Sequence, residues 1–227
     1  MKPKISILFK NKEGSRAEDL IDDATWTSIY HREGKSAMIV TCGFDEAGRG
    51  PLAGPVTAAC VVLGPDFDPK GLGDSKVLNP KNRMIQAQRI QSTALAWGIA
   101  TCTPREIDEL NILQASLRAM ERAWFDLGIR FPGVKPELGL IDGLHCPIVP
   151  FPCRAIVRGD ALEPCISAAS ILAKVSRDAQ MLKLDALYPQ YGFALHKGYP
   201  TVHHREMLRR HGLSPEHRLS FRWHSSD

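Results

Sequence analysis

Two adjacent carboxylates, Asp45 and Glu46, run straight into a Gly48-Arg49-Gly50 triplet, and two further acids, Asp142 and Asp160, follow short β-branched stretches later in the chain. Strand ends are where sites are assembled in an α/β sheet, so acids delivered from three of them point to a shared site. Adjacent acids beside a buried strand are costly unless a cation neutralises them, and hard divalent cations prefer oxygen ligands. Two such ions can stabilise both the attacking and the leaving oxygen of a phosphoryl transfer, which needs no side-chain nucleophile. The plain alternative is a solvated turn carrying ordinary surface acids.

These residues need elements to position them. Met38 to Cys42 and Val56 to Leu63 both read as buried strands, so the intervening turn joins strand to strand. A dinucleotide-binding glycine loop would instead open a helix, which Pro51, Gly54 and Pro55 disfavour. Asp45 and Glu46 then fall at a strand end, on opposite faces. A polar helix is expected from Asn79 or Pro80 to Thr93, and a strand from Ala94 to Cys102. Thr103-Pro104-Arg105-Glu106 is a capping box with proline at the first helical position. Leu110, Leu113, Leu117, Met120 and Trp124 continue that helix to Gly128. Leu138 to Ile141 is a short strand ending at Asp142-Gly143, and Arg154 to Val157 leads through Arg158-Gly159 to Asp160. From Ile166 the period is again helical, with Ala169, Leu172, Val175, Ala179, Leu182 and Ala186 on one stripe. Ser167, Ser170, Lys174, Arg177 and Asp178 lie off it. Tyr188-Pro189 breaks this helix, and a basic helix is expected from Thr201 to His211.

With 227 residues, 44% of them hydrophobic, the chain can build one good-sized core. Its net charge of +4 favours polyanions. His196, His203, His204, His211, His217 and His224, with Arg205, Arg209, Arg210, Arg218 and Arg222, crowd the C-terminal stretch. Such a tail is ordinarily a solvated face and would also suit phosphate contacts. The six cysteines contain no Cys-x-x-Cys pair and no Cys and His at zinc-ligand spacing, so they read as small buried thiols of a reducing compartment. No run approaches the length of a signal peptide or a membrane span, which makes the expected location cytoplasmic. The Gly73-Asp74-Ser75-Lys76 tract is either a loop before a helix or a phosphate contact through Ser75, Lys76 and backbone N–H groups. Lys4 to Lys10 could form a strand, while Ala17, Leu20, Ile21 and Ala24 have helical spacing; an added edge element and an unstructured extension both fit this segment.

From residue 38 to 221 the ordered series GFDEAGRGPLAGPV, GDSK, EIDELNIL, LIDG, VRGD, ISAASILAKVSRDAQM, YPQYGF and HKGYPT closely resembles the bacterial ribonucleases HII. The resemblance implies that Asp45, Glu46, Asp142 and Asp160 bind two Mg²⁺ or Mn²⁺ ions. It implies that Gly48, Arg49 and Gly50 find the ribose, through backbone groups open to a 2′-hydroxyl and an arginine on phosphate. Tyr199 matches the family tyrosine that stacks on the sugar after the ribonucleotide. Asp74 and Asp178 are placed outside the metal site, Asp178 as a helix-surface ion-pair partner. Arg49 and the short N-terminus favour type 2 over the sister ribonucleases HIII.

The expected fold is α/β, a ribonuclease H-like mixed sheet flanked by helices with a small helical C-terminal region. The expected domains are an extension at 1–37, a catalytic domain at 38–187 and a substrate-binding region at 188–227. The expected function is metal-dependent hydrolysis of RNA in RNA–DNA hybrids and of single ribonucleotides in duplex DNA, by a monomer. The competing readings are a nucleic-acid-binding protein without the chemistry and an oxidoreductase built on the glycine turn.

Overall fold

The structure is a computed structural model describing the backbone of residues 7–10 and 16–19, and residues 39–72 and 78–223 in full. Its centre is a five-stranded mixed sheet of β3 (Thr41–Ala47), β4 (Val56–Val62), β5 (Ala96–Cys102), β6 (Leu138–Asp142) and β7 (Cys153–Ile156), in the order β5-β4-β3-β6-β7. β3, β4 and β5 pair antiparallel, whereas β6 and β7 run parallel to β3. Both faces of β4 are buried, which explains its unbroken run of small and β-branched residues. Val56, Ala58, Cys60 and Val62 face the cluster built with Ala115, Ala119, Met120, Ala123 and Leu127. Ala59 and Val61 face Ala168, Ala169, Ile171, Leu172 and Ala173 on the other side.

The flanking helices are α1 (Pro80–Thr93), α2 (Pro104–Leu110), α3 (Ile112–Arg130), α4 (Gly159–Leu162), α5 (Pro164–Leu187), α6 (Phe193–His196) and α7 (Val202–His211). α5 starts hard against β3: a Cβ on Gly43 would lie 2.2 Å from the Cys165 carbonyl carbon, so only glycine permits the approach. The loop after β3, the second half of α5, α6, α7 and the tail build a third cluster, Leu52, Ala53, Met181, Tyr191, Phe193 and Leu208.

Several boundaries differ from expectation. β3 runs through the acids to Ala47 because its register with β4 persists to Ala47 opposite Thr57. The capping box forms, but the helix it starts ends at Leu110; Asn111 has φ 68° and caps a second helix by accepting from Leu113 and Gln114 N–H. That second helix passes Gly128 to end at Arg130. Ala17 lies in β2 (Arg16–Asp19), paired antiparallel with β1 (Ile7–Lys10), and not in a helix. The predicted stripe on α5 fails in its second half: Leu182 is exposed, while Arg177 and Met181 are buried. That half of the helix faces a loop with carbonyls to satisfy, and not the sheet. All six cysteines are free, and all but Cys146 are buried. Among the described residues no helix is long and apolar enough to cross a membrane.

Candidate active site

β3 and β6 are parallel, with Phe44 opposite Ile141. The next residues, Asp45 and Asp142, are therefore level on adjacent strands, and residues level across a parallel pair share a face. β7 lies beyond, with Ile156 opposite Asp142. The chain then reverses through Arg158, held at φ 57°, and the first turn of α4 carries Asp160 back toward β6. Asp160 is thus on a one-turn helix and not at the strand end itself. The backbone N–H of Gly159 donates to Asp142 Oδ1 at 2.7 Å, fixing that carboxylate. As a result, Asp45, Asp142 and Asp160 each offer an oxygen within 4.8 Å of the others, although Asp45 and Asp160 are buried.

Glu46 lines the same cleft. Its Oε1 accepts from Arg49 at 3.1 Å, while its own N–H donates to Asp45 Oδ1 at 2.7 Å. Burial, above all, holds Asp45 well above the usual carboxylate range; the charges of Glu46 and Asp142 push the same way, against a hydrogen bond with Ser170. Burial also raises Glu46, with Asp142 adding to it and Arg49 opposing. Burial therefore works against the ionised forms of Asp45 and Glu46, and Arg49 opposes it only at Glu46. An oxygen-only donor set with this deficit fits a hard divalent cation.

The cleft holds about 460 Å³ and is lined by the acids Asp45, Glu46 and Asp142, by Gly48, Arg49 and Gly50, and by Tyr199. Arg83, Ser170 and Lys174 complete its wall. Asp178 pairs with Lys174 at 2.7 Å and with Arg83 at 3.5 Å, the ion-pair role expected of it. Asp74, Ser75 and Lys76 lie outside the described residues.

Two buried arginines hold the glycine loop from below. Gly48 has φ 95°, and a Cβ there would stand 1.9 Å from Arg177 Nε. Arg177, on α5, donates to the carbonyls of Pro55, Ala53 and Lys197. Arg218 donates to Gly48 O at 2.6 Å, to Arg49 O at 2.9 Å and twice to Gly54 O. Burial, and then the Arg177 charge, pushes Arg218 down to about 9. Arg218 is 1% exposed, so this part of the basic tail is neither a solvated face nor a phosphate contact. Sequence reasoning did not single out Arg83, Ser170, Lys174, Arg177 and Arg218 for the site. The polar positions off the α5 stripe were the available signal for Ser170, Lys174 and Arg177. Arg83 and Arg218 had none, because nothing local distinguishes an inward arginine in a charged segment.

Comparison with known proteins agrees with this geometry. The family described as Ribonuclease HII matches residues 42–224. The Ribonuclease HII of Ralstonia nicotianae is 54% identical over 188 residues, covering 83% of this chain and 79% of its own. The crystal structure of ribonuclease H2 from Pyrococcus horikoshii OT3 superposes with TM-score 0.67 at 25% identity, over 81% of this chain and 94% of that one. Bst-RNase HIII in complex with Mn²⁺, 16% identical, shares the fold with TM-score 0.65 over 93% of this chain and 80% of its own. The chain belongs to the ribonuclease HII family, divalent-metal-dependent endonucleases that hydrolyse the RNA strand of RNA–DNA hybrids.

Proposed function

We propose that the chain cuts on the 5′ side of ribonucleotides, in hybrids and singly embedded in duplex DNA, leaving a 3′-hydroxyl and a 5′-phosphate. One observation carries this reading: three converging acids open, through Asp45 and Asp142, into the same cleft as a glycine-arginine backbone and an exposed tyrosine. Asp45, Glu46, Asp142 and Asp160 would hold two ions, Mg²⁺ or Mn²⁺, which when bound supply water activation and neutralisation of the leaving oxygen. The protein's own groups do the orienting. Arg49 fixes Glu46, Gly159 N–H fixes Asp142, and Glu46 N–H fixes Asp45. Gly48 and Gly50 keep the backbone open to a 2′-hydroxyl, the group that separates RNA from DNA. Arg49, with half its side chain exposed, can reach a phosphate. Tyr199, beside Gly50, stacks on the following sugar. Ser75 and Lys76 contact phosphate.

In this reading residues 38–187 are the catalytic domain, 188–227 the substrate-binding region and 1–37 an extension. The protein acts as a cytoplasmic monomer. The experiment is cleavage of a DNA duplex containing one ribonucleotide, with Mn²⁺ or Mg²⁺ and then with excess chelator. Chelator-sensitive cutting 5′ of the ribonucleotide is expected, and Asp142→Asn should abolish it while duplex binding falls less than threefold. Binding without cleavage by the unaltered protein would favour the non-catalytic reading, and an active Asp142→Asn would remove Asp142 from the site.

A further inference from the structure

Outside the cleft lies a pair of buried histidines, His204 on α7 and His217 in the tail, 0% and 2% exposed. Their hydrogen bonds have only one consistent direction. The backbone N–H of Ser214 can only donate, and it meets His217 Nδ1 at 2.9 Å. The neutral His217 ring therefore carries its proton on Nε2, which faces His204 Nε2 at 3.0 Å. His204 Nδ1 faces the Tyr199 carbonyl at 2.9 Å, an acceptor only, so that nitrogen bears the His204 proton. The run Ser214, His217, His204, Tyr199 is thus a directed relay of two neutral imidazoles ending on the backbone of the cleft tyrosine.

The relay also ties the two halves of the substrate-facing rim together. His217 bridges to Ala53 as an antiparallel β-bridge, and its neighbour Arg218 grips the Gly48 and Arg49 carbonyls. Leu52 N–H meets Gly198 O at 2.8 Å from the opposite side. The backbone that carries the Tyr199 ring, 43% exposed and beside Gly50, is therefore held both by the buried pair and by the loop that bears the glycine-arginine triplet. We infer that His204 and His217 are positioning residues for Tyr199, fixing where its ring meets the sugar and so how strongly the enzyme favours a ribonucleotide followed by DNA. This rests on the sugar-stacking reading of Tyr199. The titratable groups packed on the pair are His196, stacked on His204 at 4.4 Å, and Tyr191, edge-on to His217 at 4.9 Å, with the Phe193 ring between. None of these is a carboxylate that would favour a charged ring, and burial pushes both histidines down to about 4.

The test compares kcat/KM on a duplex containing one ribonucleotide with kcat/KM on a uniform RNA–DNA hybrid. Tyr199→Ala should reduce that preference ratio. His204→Phe should lower it about tenfold, the scale of one lost positioning hydrogen bond. His204→Asn, whose amide nitrogen replaces the Nδ1 donor, should restore most of it. In a Tyr199→Ala background His204→Phe should produce no further drop. An unchanged ratio in His204→Phe, or the same drop with Tyr199 already gone, overturns the inference. An unchanged ratio in Tyr199→Ala overturns the underlying reading of the tyrosine, and this inference with it. Should His204→Phe fail to fold, imidazole ¹⁵N shifts of the unaltered protein decide. Protons on His204 Nδ1 and His217 Nε2 at pH 6 to 8 support the relay; the opposite tautomers or a charged ring overturn it.

Discussion

At Asp45 the cost of the site is concentrated on one side chain. It is buried, faces two other carboxylates, and carries a pKa well above the ordinary carboxylate value of 3.8, mainly through desolvation. A carboxyl whose pKa rises on folding binds a proton more tightly in the folded state. Stability therefore falls as pH rises from the unfolded value through the folded one, and the ionised group destabilises the protein above that window. Asp45→Asn removes this penalty and keeps an oxygen for the Glu46 N–H. In chelator at pH 7 the variant should melt higher than the unaltered protein by a few degrees, about 2 to 4 °C per kcal/mol regained for a chain of this size. The gain should shrink to nothing below pH 3.8. Cleavage should be lost at every pH. Calorimetry across that range checks the first part, and a variant that melts lower at pH 7 would show that the acid is neutralised by something other than a cation. The four acids, the Gly-Arg-Gly triplet and Tyr199 were legible in the sequence because their types and order are unusual together. Arg218 was not, because whether an arginine points inward is decided by carbonyls far away in the chain.

The elements were mostly legible, and the exceptions share a cause. Pro104 and the Thr103–Glu106 capping box announce α2 from local chemistry alone, and both reciprocal hydrogen bonds form. Glu106 also reaches Arg122 on α3 at 2.5 Å, across the break at Asn111. The Arg122 hydrogen bond and the bonds to Thr103 lower Glu106 to about 2. Because this pKa is depressed from 4.5, the stability it contributes is present above pH 4.5 and is lost as pH falls toward 2. Glu106→Gln should therefore cost about 1 kcal/mol at pH 7, the value of a partly exposed cap and ion pair. The two proteins should unfold alike in urea near pH 2. Equal stabilities at pH 7 would show that the cap is replaced by water. The period of a helix is set by neighbours three and four residues away, so the first half of α5 followed from spacing, as did α3, though as a continuation of α2. The second half of α5 did not, since its partners are the loop carbonyls of Ala53 and Pro55 and the backbone of Lys197.

At the scale of the whole molecule, three apolar clusters among the described residues divide the work. Two sandwich the sheet, and the third joins the C-terminal helices to the glycine loop. Against Phe193 and Tyr191 of this last cluster lie His204 and His217, lowered from 6.5 to about 4 by burial. A histidine kept neutral by folding binds fewer protons than its unfolded form, so its contribution is complete above pH 6.5 and is lost as pH falls toward 4. Hydrogen-exchange protection of residues 196–218 should therefore decline between pH 6.5 and 4.5 while the amides of β4 stay protected, once rates are corrected for intrinsic pH dependence. Equal losses in both regions would mean that the C-terminal region has no acid-sensitive unit of its own.

The sequence by itself determined the acids, the strand-turn-strand setting of the glycine triplet and the resemblance to a metal-dependent nuclease. Each of these depends on residue identity and short-range order, which a chain displays without folding. Only the tertiary structure decided that three of the acids converge within 4.8 Å, and that Arg177 and Arg218 turn inward to grip the glycine loop. It alone brought the Tyr199 carbonyl to His204 and His204 to His217. The physical reason is that buried carbonyls and carboxylates must find partners wherever the packed chain brings them, and those partners lie more than a hundred residues away as readily as four.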